Sequence, residues 1–205
     1  DDGAVLARET LLMARGHAEA LLPLLERLSK AAAVPFSALG RIAVVVGPGS
    51  FTGIRIGIAA GRAIGLAAGV PVVGVSSLAA FAAPLIGREG AGVIAAAVDA
   101  KHGQVYVQGF TAKGQPLAPP RITNVRDAVR TLGAGPLVFA GSGGDDFDDE
   151  VGGTVDVVEV FNQKTPFVRD EQDVRLGAVS VVEQHVNRRG ENVAEFFFTD
   201  VHFQA

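Results

Sequence analysis

Apolar positions change their period several times along this chain, and each change marks an expected element. Residues 4–13, "AVLARETLLM", alternate loosely and predict a strand, preceded by the turn Asp1-Asp2-Gly3. From His17 to Ala33 the period lengthens. Ala18, Leu21, Leu22, Leu25 and Leu28 fall on one helical face. Ala20 and Leu24 lie off that face, so this helix is expected to be apolar on more than one side, with Pro23 kinking it or marking its true first turn. "VPFSALGR" reads as a connector. "RIAVVV", residues 41–46, is β-branched and predicts a buried strand. A second helix is predicted from about Thr52 to Ala68, capped by Thr52 or Ser50. "PVVGVSS" predicts another buried strand and "LAAFAAPLIG" a short helix.

Further on, "GVIAAAVDA" and "HGQVYVQGFT" predict a hairpin turning at residues 100–103. "NVRDAVRTL" predicts a helix capped by Asn124, and "GPLVFAGSG" a strand ending in a glycine turn. "DDFDDEVGG" reads as an acidic loop, "VRLGAVSVVEQHVN" as a helix, and "AEFFFTDVHF" as a strand with no turn to fix its partner. Strands alternating with helices predict an α/β protein with a largely parallel sheet. The second hairpin start predicts two lobes, 1–90 and 91–205, dividing near Pro84–Gly92.

Composition narrows the chemistry. The 205 residues are 48 % hydrophobic and 20 % charged, as in a globular chain with a substantial core. With no cysteine, disulfides, thiolate catalysis and Cys-ligated zinc are excluded. Arg55 and Arg62 interrupt the longest apolar run, so no membrane span is expected. No signal peptide is visible, and the cytoplasm is the expected compartment. The first residue is Asp1 rather than Met, so a native start further upstream is expected. The net charge of −4 is unevenly spread: residues 1–144 hold 13 Lys/Arg against 8 Asp/Glu, residues 145–205 hold 5 against 14. There is no basic stripe with interleaved aromatics, which argues against autonomous nucleic-acid binding.

The stretch "VVVGPGSFTGIRIGIAAGRAIG" runs strand, glycine loop, helix. Its backbone N–H groups and helix N-terminus could receive an anion, which makes Gly47, Gly49, Ser50, Thr52 and Gly53 a candidate nucleotide or anion loop. A P-loop would need a Lys before the hydroxyl residue, and none is there. A dinucleotide fingerprint would need its third glycine one residue earlier and an acid some twenty positions on; both fail. A tight turn is the favoured reading. Between Glu26 and Glu89 there is no Asp, Glu or His, so general acid–base work and hard-metal binding have no donors there. His17, His102, His185 and His202 form no ligand pair, and no metal site is expected. Asp99 closes a buried strand at a turn, where it either shapes the turn or faces a ligand.

Gly53, Gly57, Gly61 and Gly65 recur every fourth residue of the second helix. Each costs about 1 kcal/mol of helix stability relative to Ala. The compensation expected is close approach of another helix or a strand. Ile54, Ile58 and Ala59 cover other sides, so a partner protein is one source of cover.

"GPGSFTGIRIGIAAGRAIGLAAGVPVVGVSSLAAF", with "ARGHAEALLPLLERL" and "DAKHGQVYVQGF", resembles the TsaB (YeaZ) family over residues 4–143. The resemblance implies an actin-like ATPase fold with two lobes of ribonuclease H-like topology. It also implies a non-catalytic subunit that binds and activates TsaD for threonylcarbamoyl transfer to adenosine 37 of tRNAs reading codons that begin with A. Partners so implied are TsaD in a heterodimer, TsaE as third component, a second copy in isolation, and tRNA only through the complex. No cofactor of its own is implied beyond weak ATP or ADP binding at the complex. The metal-binding histidines of TsaD-type sequences fall on Ser77 and Phe81 here. The interface so implied is a helical bundle using His17, Leu21, Leu24, Leu25, Leu28, Arg55, Gly57, Ile58, Gly61, Arg62 and Gly65. The family also carries a strand with a D-T-S-type turn ahead of the segment that begins here, so a central strand before Asp1 is expected. The alternatives are an autonomous ATP-dependent enzyme of the same fold, with Asp99 on its metal, and an acidic-tailed homodimer without a tRNA role.

Overall fold

The computed structural model describes residues 5–12, 16–87, 92–132, 137–141, 157–161, 179–186 and 192–199. The chain forms two compact units, Asp1–Val75 with Gln172–Ala205, and Ser76–Glu171. The division differs from the expected halves 1–90 and 91–205, because the last strands of the chain pair with the first.

In the first unit, β1 (Val5–Leu12), β2 (Leu39–Val45), β3 (Val72–Val75), β9 (Val179–Val186) and β10 (Asn192–Thr199) form one sheet in the order β1-β9-β10-β2-β3. The first two pairings are antiparallel and the last two parallel. Residues 179–186 are thus a strand, not part of the expected helix. Val179, Val181, Val182 and Val186 are β-branched and favour an extended chain. Where a central strand from before Asp1 was expected, β9 and β10 stand between β1 and β2.

Helix α1 (His17–Ala32) runs through Pro23 and ends at Ala33 in the left-handed conformation. Leu21, Leu24, Leu25 and Leu28 are its buried residues. Leu24 therefore belongs to the main stripe, whereas Leu22 and Ala18 are exposed. The leucines pack on Ile42 and Val44 of β2, and on Ile64 and Val70. Arg27 ties α1 to β1, its Nε donating to Glu9 Oε1 at 3.0 Å. Helix α2 (Phe51–Ala68) joins β2 to β3 and is long and apolar enough, by length and composition alone, to cross a membrane. The sequence expectation that no run reaches that length is corrected. Packing explains the composition: this helix lies with its glycines against its own sheet.

In the second unit, β4 (Val93–Lys101), β5 (Gln104–Thr111), β6 (Arg121–Asn124), β7 (Leu137–Ala140) and β8 (Val157–Phe161) take the order β6-β5-β4-β7-β8. The succession is again two antiparallel pairings and then two parallel ones. Neither sheet is largely parallel, since each contains a hairpin. That of β4 and β5 turns on Lys101, His102 and Gly103, all at positive φ. Ile94–Val98 are buried without alternation because both faces of β4 are covered. On one face lie Leu78, Ala82 and Leu85, from α3 (Ser77–Ala82) and the 3-10 turn after it. On the other lies α4 (Val125–Leu132), through Ala128 with Val125, Val129 and Leu132 beside it. Asn124 Oδ1 accepts from Asp127 N at 2.9 Å, the expected cap. β6 and β8 were not anticipated. The acidic stretch 145–153 lies outside the described residues.

Candidate functional site

Strand β2 ends in the loop 46–50, and α2 begins at Phe51. Ser50 is the cap: its Oγ accepts from Gly53 N at 3.2 Å, and its carbonyl accepts from Ile54 N at 2.9 Å. Gly47 has φ +104°, and a Cβ there would stand 3.0 Å from Ile54 Cδ1, so the first glycine is required by the turn and by the helix packed behind it. Thr52 is exposed on the first turn. This loop belongs to the first unit and Asp99 to the second. Asp99 Oδ1 accepts from Lys101 N at 2.7 Å, the bond of a turn-forming aspartate. Among the described residues no group of three His, Asp or Glu is placed to hold a metal.

The glycine face of α2 is settled by what lies beneath it. Gly53, Gly57, Gly61 and Gly65 are all buried. A Cβ on Gly61 would collide with Val44 Cγ2, and one on Gly65 with Val72 Cγ2 and, at 2.8 Å, Val70 O. The close approach is made by the helix's own sheet. Gly57, Gly61 and Gly65, and with them Leu21, Leu24, Leu25 and Leu28, are therefore not presented outward, contrary to the expected interface. The two helices instead share one core with β2.

What α2 does present is different. Phe51, 68 % exposed, and Leu66, 87 % exposed, share a face with Arg55 and Arg62, within about a 60° arc at 100° per residue. The Arg55 guanidinium lies 3.8 Å from the centroid of the Phe51 ring, a cation–π stack. Ile58 is half-buried at the margin of this arc, and His17, the first residue of α1, is half-buried. On α1 the outward residues include Leu22, Glu26, Arg27 and Lys30. Lys30 Nζ donates to Glu26 Oε1 at 2.7 Å, which holds the Glu26 carboxyl below its ordinary range. Of the expected interface residues, Arg55 and Arg62 are exposed. Phe51, Leu66 and Leu22 are exposed too and are not among the expected residues, although the positions 51, 55, 62 and 66 already fall on one side of a helical wheel.

Two five-stranded mixed sheets with one succession of pairings, each carrying helices, define the class: an α/β protein of the actin-like, ribonuclease H-like ATPase type. The family "TsaD: tRNA N6-adenosine threonylcarbamoyltransferase" matches residues 10–137. The chain is 36 % identical over 106 residues to the tRNA threonylcarbamoyladenosine biosynthesis protein TsaB of Escherichia coli, covering 52 % of this chain and 46 % of that protein. To TsaB of Bacillus subtilis it is 32 % identical over 105 residues, 51 % and 45 % of the two chains. The solved structure of YeaZ from Pseudomonas aeruginosa superposes with a TM-score of 0.58 at 32 % identity, covering 66 % of this chain and 65 % of that one. The chain thus belongs to the TsaD-type family, on its TsaB (YeaZ) branch. It matches about half the length of those curated relatives.

Proposed function

We propose that this chain is a non-catalytic subunit of threonylcarbamoyladenosine synthesis on tRNA. It binds a TsaD-type transferase and activates it for transfer to the adenosine of tRNAs that read codons beginning with A. Membership of the TsaB branch supports the pathway. The observation that carries the partner role is the outward face of α2, where Phe51 and Leu66 stand in water beside two arginines. A large apolar side chain left exposed in a row with others marks an interaction surface. Aromatic and arginine residues are the usual anchors of such surfaces.

In this reading the helical face of α1 and α2 meets the transferase, with TsaE as a third component and a second copy of this chain taking the same face when the transferase is absent. Transfer RNA is held by the complex, in the cytoplasm, and ATP or ADP binds weakly there. The interface keeps Arg55 and Arg62 of the sequence expectation, adds Phe51 and Leu66, and leaves out the buried glycines and leucines. The test is co-expression with the TsaD-type protein of the same cell. The wild-type chain should co-purify with it, and Phe51→Asp with Leu66→Asp should abolish the association without moving the thermal melt. In cells lacking the gene, modified adenosine measured by mass spectrometry should fall and return only with the wild type. Undiminished co-purification of the double variant would remove this face from the reading.

A further inference from the structure

Strand β3 closes its sheet, and among the described residues its one strand partner is β2. The hydrogen bonds across this pair tell which way each backbone group of β3 points. Ile42 N donates to Pro71 O and Val46 N to Val75 O, both at 2.9 Å, with Ile42 opposite Val72 and Val44 opposite Gly74. In a parallel ladder alternate residues of a strand turn both backbone groups to the same neighbour. Residues 71, 73 and 75 are turned to β2, so the N–H and C=O of Val72 and Gly74 lie on the open edge. Val72 is 37 % and Val73 44 % exposed, so that edge is reached by solvent, and β3 is not the buried strand its valines predict.

α2 crosses one face of the β2–β3 pair, and between helix and strands is a cleft of about 700 Å³ bordered by Val44, Val46, Ile58, Leu66, Val72 and Gly74, which reaches β3. One charged group lines it, Arg62. No acidic residue occurs between Glu26 and Glu89, and no ion pair of Arg62 is found among the described residues. Among the described residues the cleft therefore combines an unpaired strand edge, an aliphatic floor and one positive charge without an ion-pair partner.

We propose that this cleft takes an extended segment of a partner protein in which aliphatic side chains alternate with carboxylates. Such a segment adds a strand to β3 and satisfies the backbone groups of Val72 and Gly74. Every second side chain drops toward Val46, Ile58 and Leu66, and a carboxylate reaches Arg62. A helix offers no free backbone groups to the edge, and a basic segment would oppose Arg62. Arg62 and Leu66 belong both to this cleft and to the helical face proposed above; the backbone groups of Val72 and Gly74 belong to the cleft alone, and their exchange tells the two sites apart.

The experiment is amide hydrogen exchange on the full chain with an acetylated, amidated octapeptide of alternating valine and glutamate, and its valine–lysine counterpart as control. The acidic peptide should slow exchange at Val72 and Gly74 by about tenfold or more and leave Val73 and Val75 unchanged. Arg62→Glu should weaken that peptide by about tenfold and reverse the preference between the two peptides. Leu66→Ser should weaken both. Both substituted residues are exposed, so the melt should hold, and it is checked on the same samples. Unchanged exchange at Val72 and Gly74 with millimolar acidic peptide would overturn the proposal. So would equal binding of the two peptides, or protection that rises with protein concentration in the absence of peptide, which would mean the edge pairs with a second copy.

Discussion

At Gly65 a single methyl group has nowhere to go. Its Cβ would meet Val72 Cγ2 on one side and the carbonyl of Val70 on the other, and the carbonyl belongs to backbone that also caps α2, with Val70 N donating to Gly65 O at 2.9 Å. Replacing Gly by Ala in a helix gains about 1 kcal/mol of propensity. Here the gain is outweighed, and Gly65→Ala should lower stability by about 1–3 kcal/mol in urea unfolding, the range of overpacked cores. Gly61→Leu should cost at least as much and unfold the monomer before any association is affected. Ser50→Ala, which removes the acceptor for Gly53 N, should cost about 1 kcal/mol in the same measurement. Asp99→Ala should loosen the hairpin turn and leave any nucleotide turnover at background. Turnover that vanished with this substitution would support the enzymatic alternative. The glycine period was plain in the sequence, and so was its energetic cost. Which body makes the close approach was not, because a strand beneath and a partner helix above impose the same spacing.

Helices were more legible than strands. α1, α2, α3 and α4 follow from period and capping residues, and Ser50 and Asn124 cap where expected. β6 and β8 carry too little pattern in four or five residues to be seen. β9 was read as a helix because a run of apolar and polar positions fits both periods, and only β-branching argues otherwise. β3 shows the opposite failure. Its valines suit a buried strand, but its position at the sheet edge leaves them in water, and edge position is a property of the whole sheet. On α1 a prediction follows from Glu26. Its carboxyl is held low by Lys30, so the pair's contribution is present above the ordinary carboxylate pKa and is lost as pH falls through the lowered one. Thermal melts should therefore show a small acid-side decline below about pH 4. Lys30→Ala should flatten it, and the difference between the two proteins at pH 7 should disappear at pH 2.

For the molecule as a whole, the two sheets share one succession of pairings, which the family resemblance implies and the residues themselves do not display. No internal repeat is visible, since equal topology needs only equal burial patterns, not equal residues. The resemblance to TsaB relatives located the fold and the first helices correctly. It could not locate the accessible face, which depends on how far α2 sinks onto β2. The order of strands has one more consequence, and it concerns synthesis. Val5 pairs with His185, and Leu39 with Asn192. The second unit is made of one continuous segment and can fold while the ribosome is still working. The first unit has to wait, with its valine-rich β2 made early and its central strands made last. Non-local pairings of this kind are slow to form. A nascent chain with its first 171 residues outside the ribosome should therefore resist brief proteolysis within 76–87 and 92–132 and be cut freely between β1 and β3. Chaperones that hold nascent chains should be found on the early segment alone, and should leave it only after β10 has emerged.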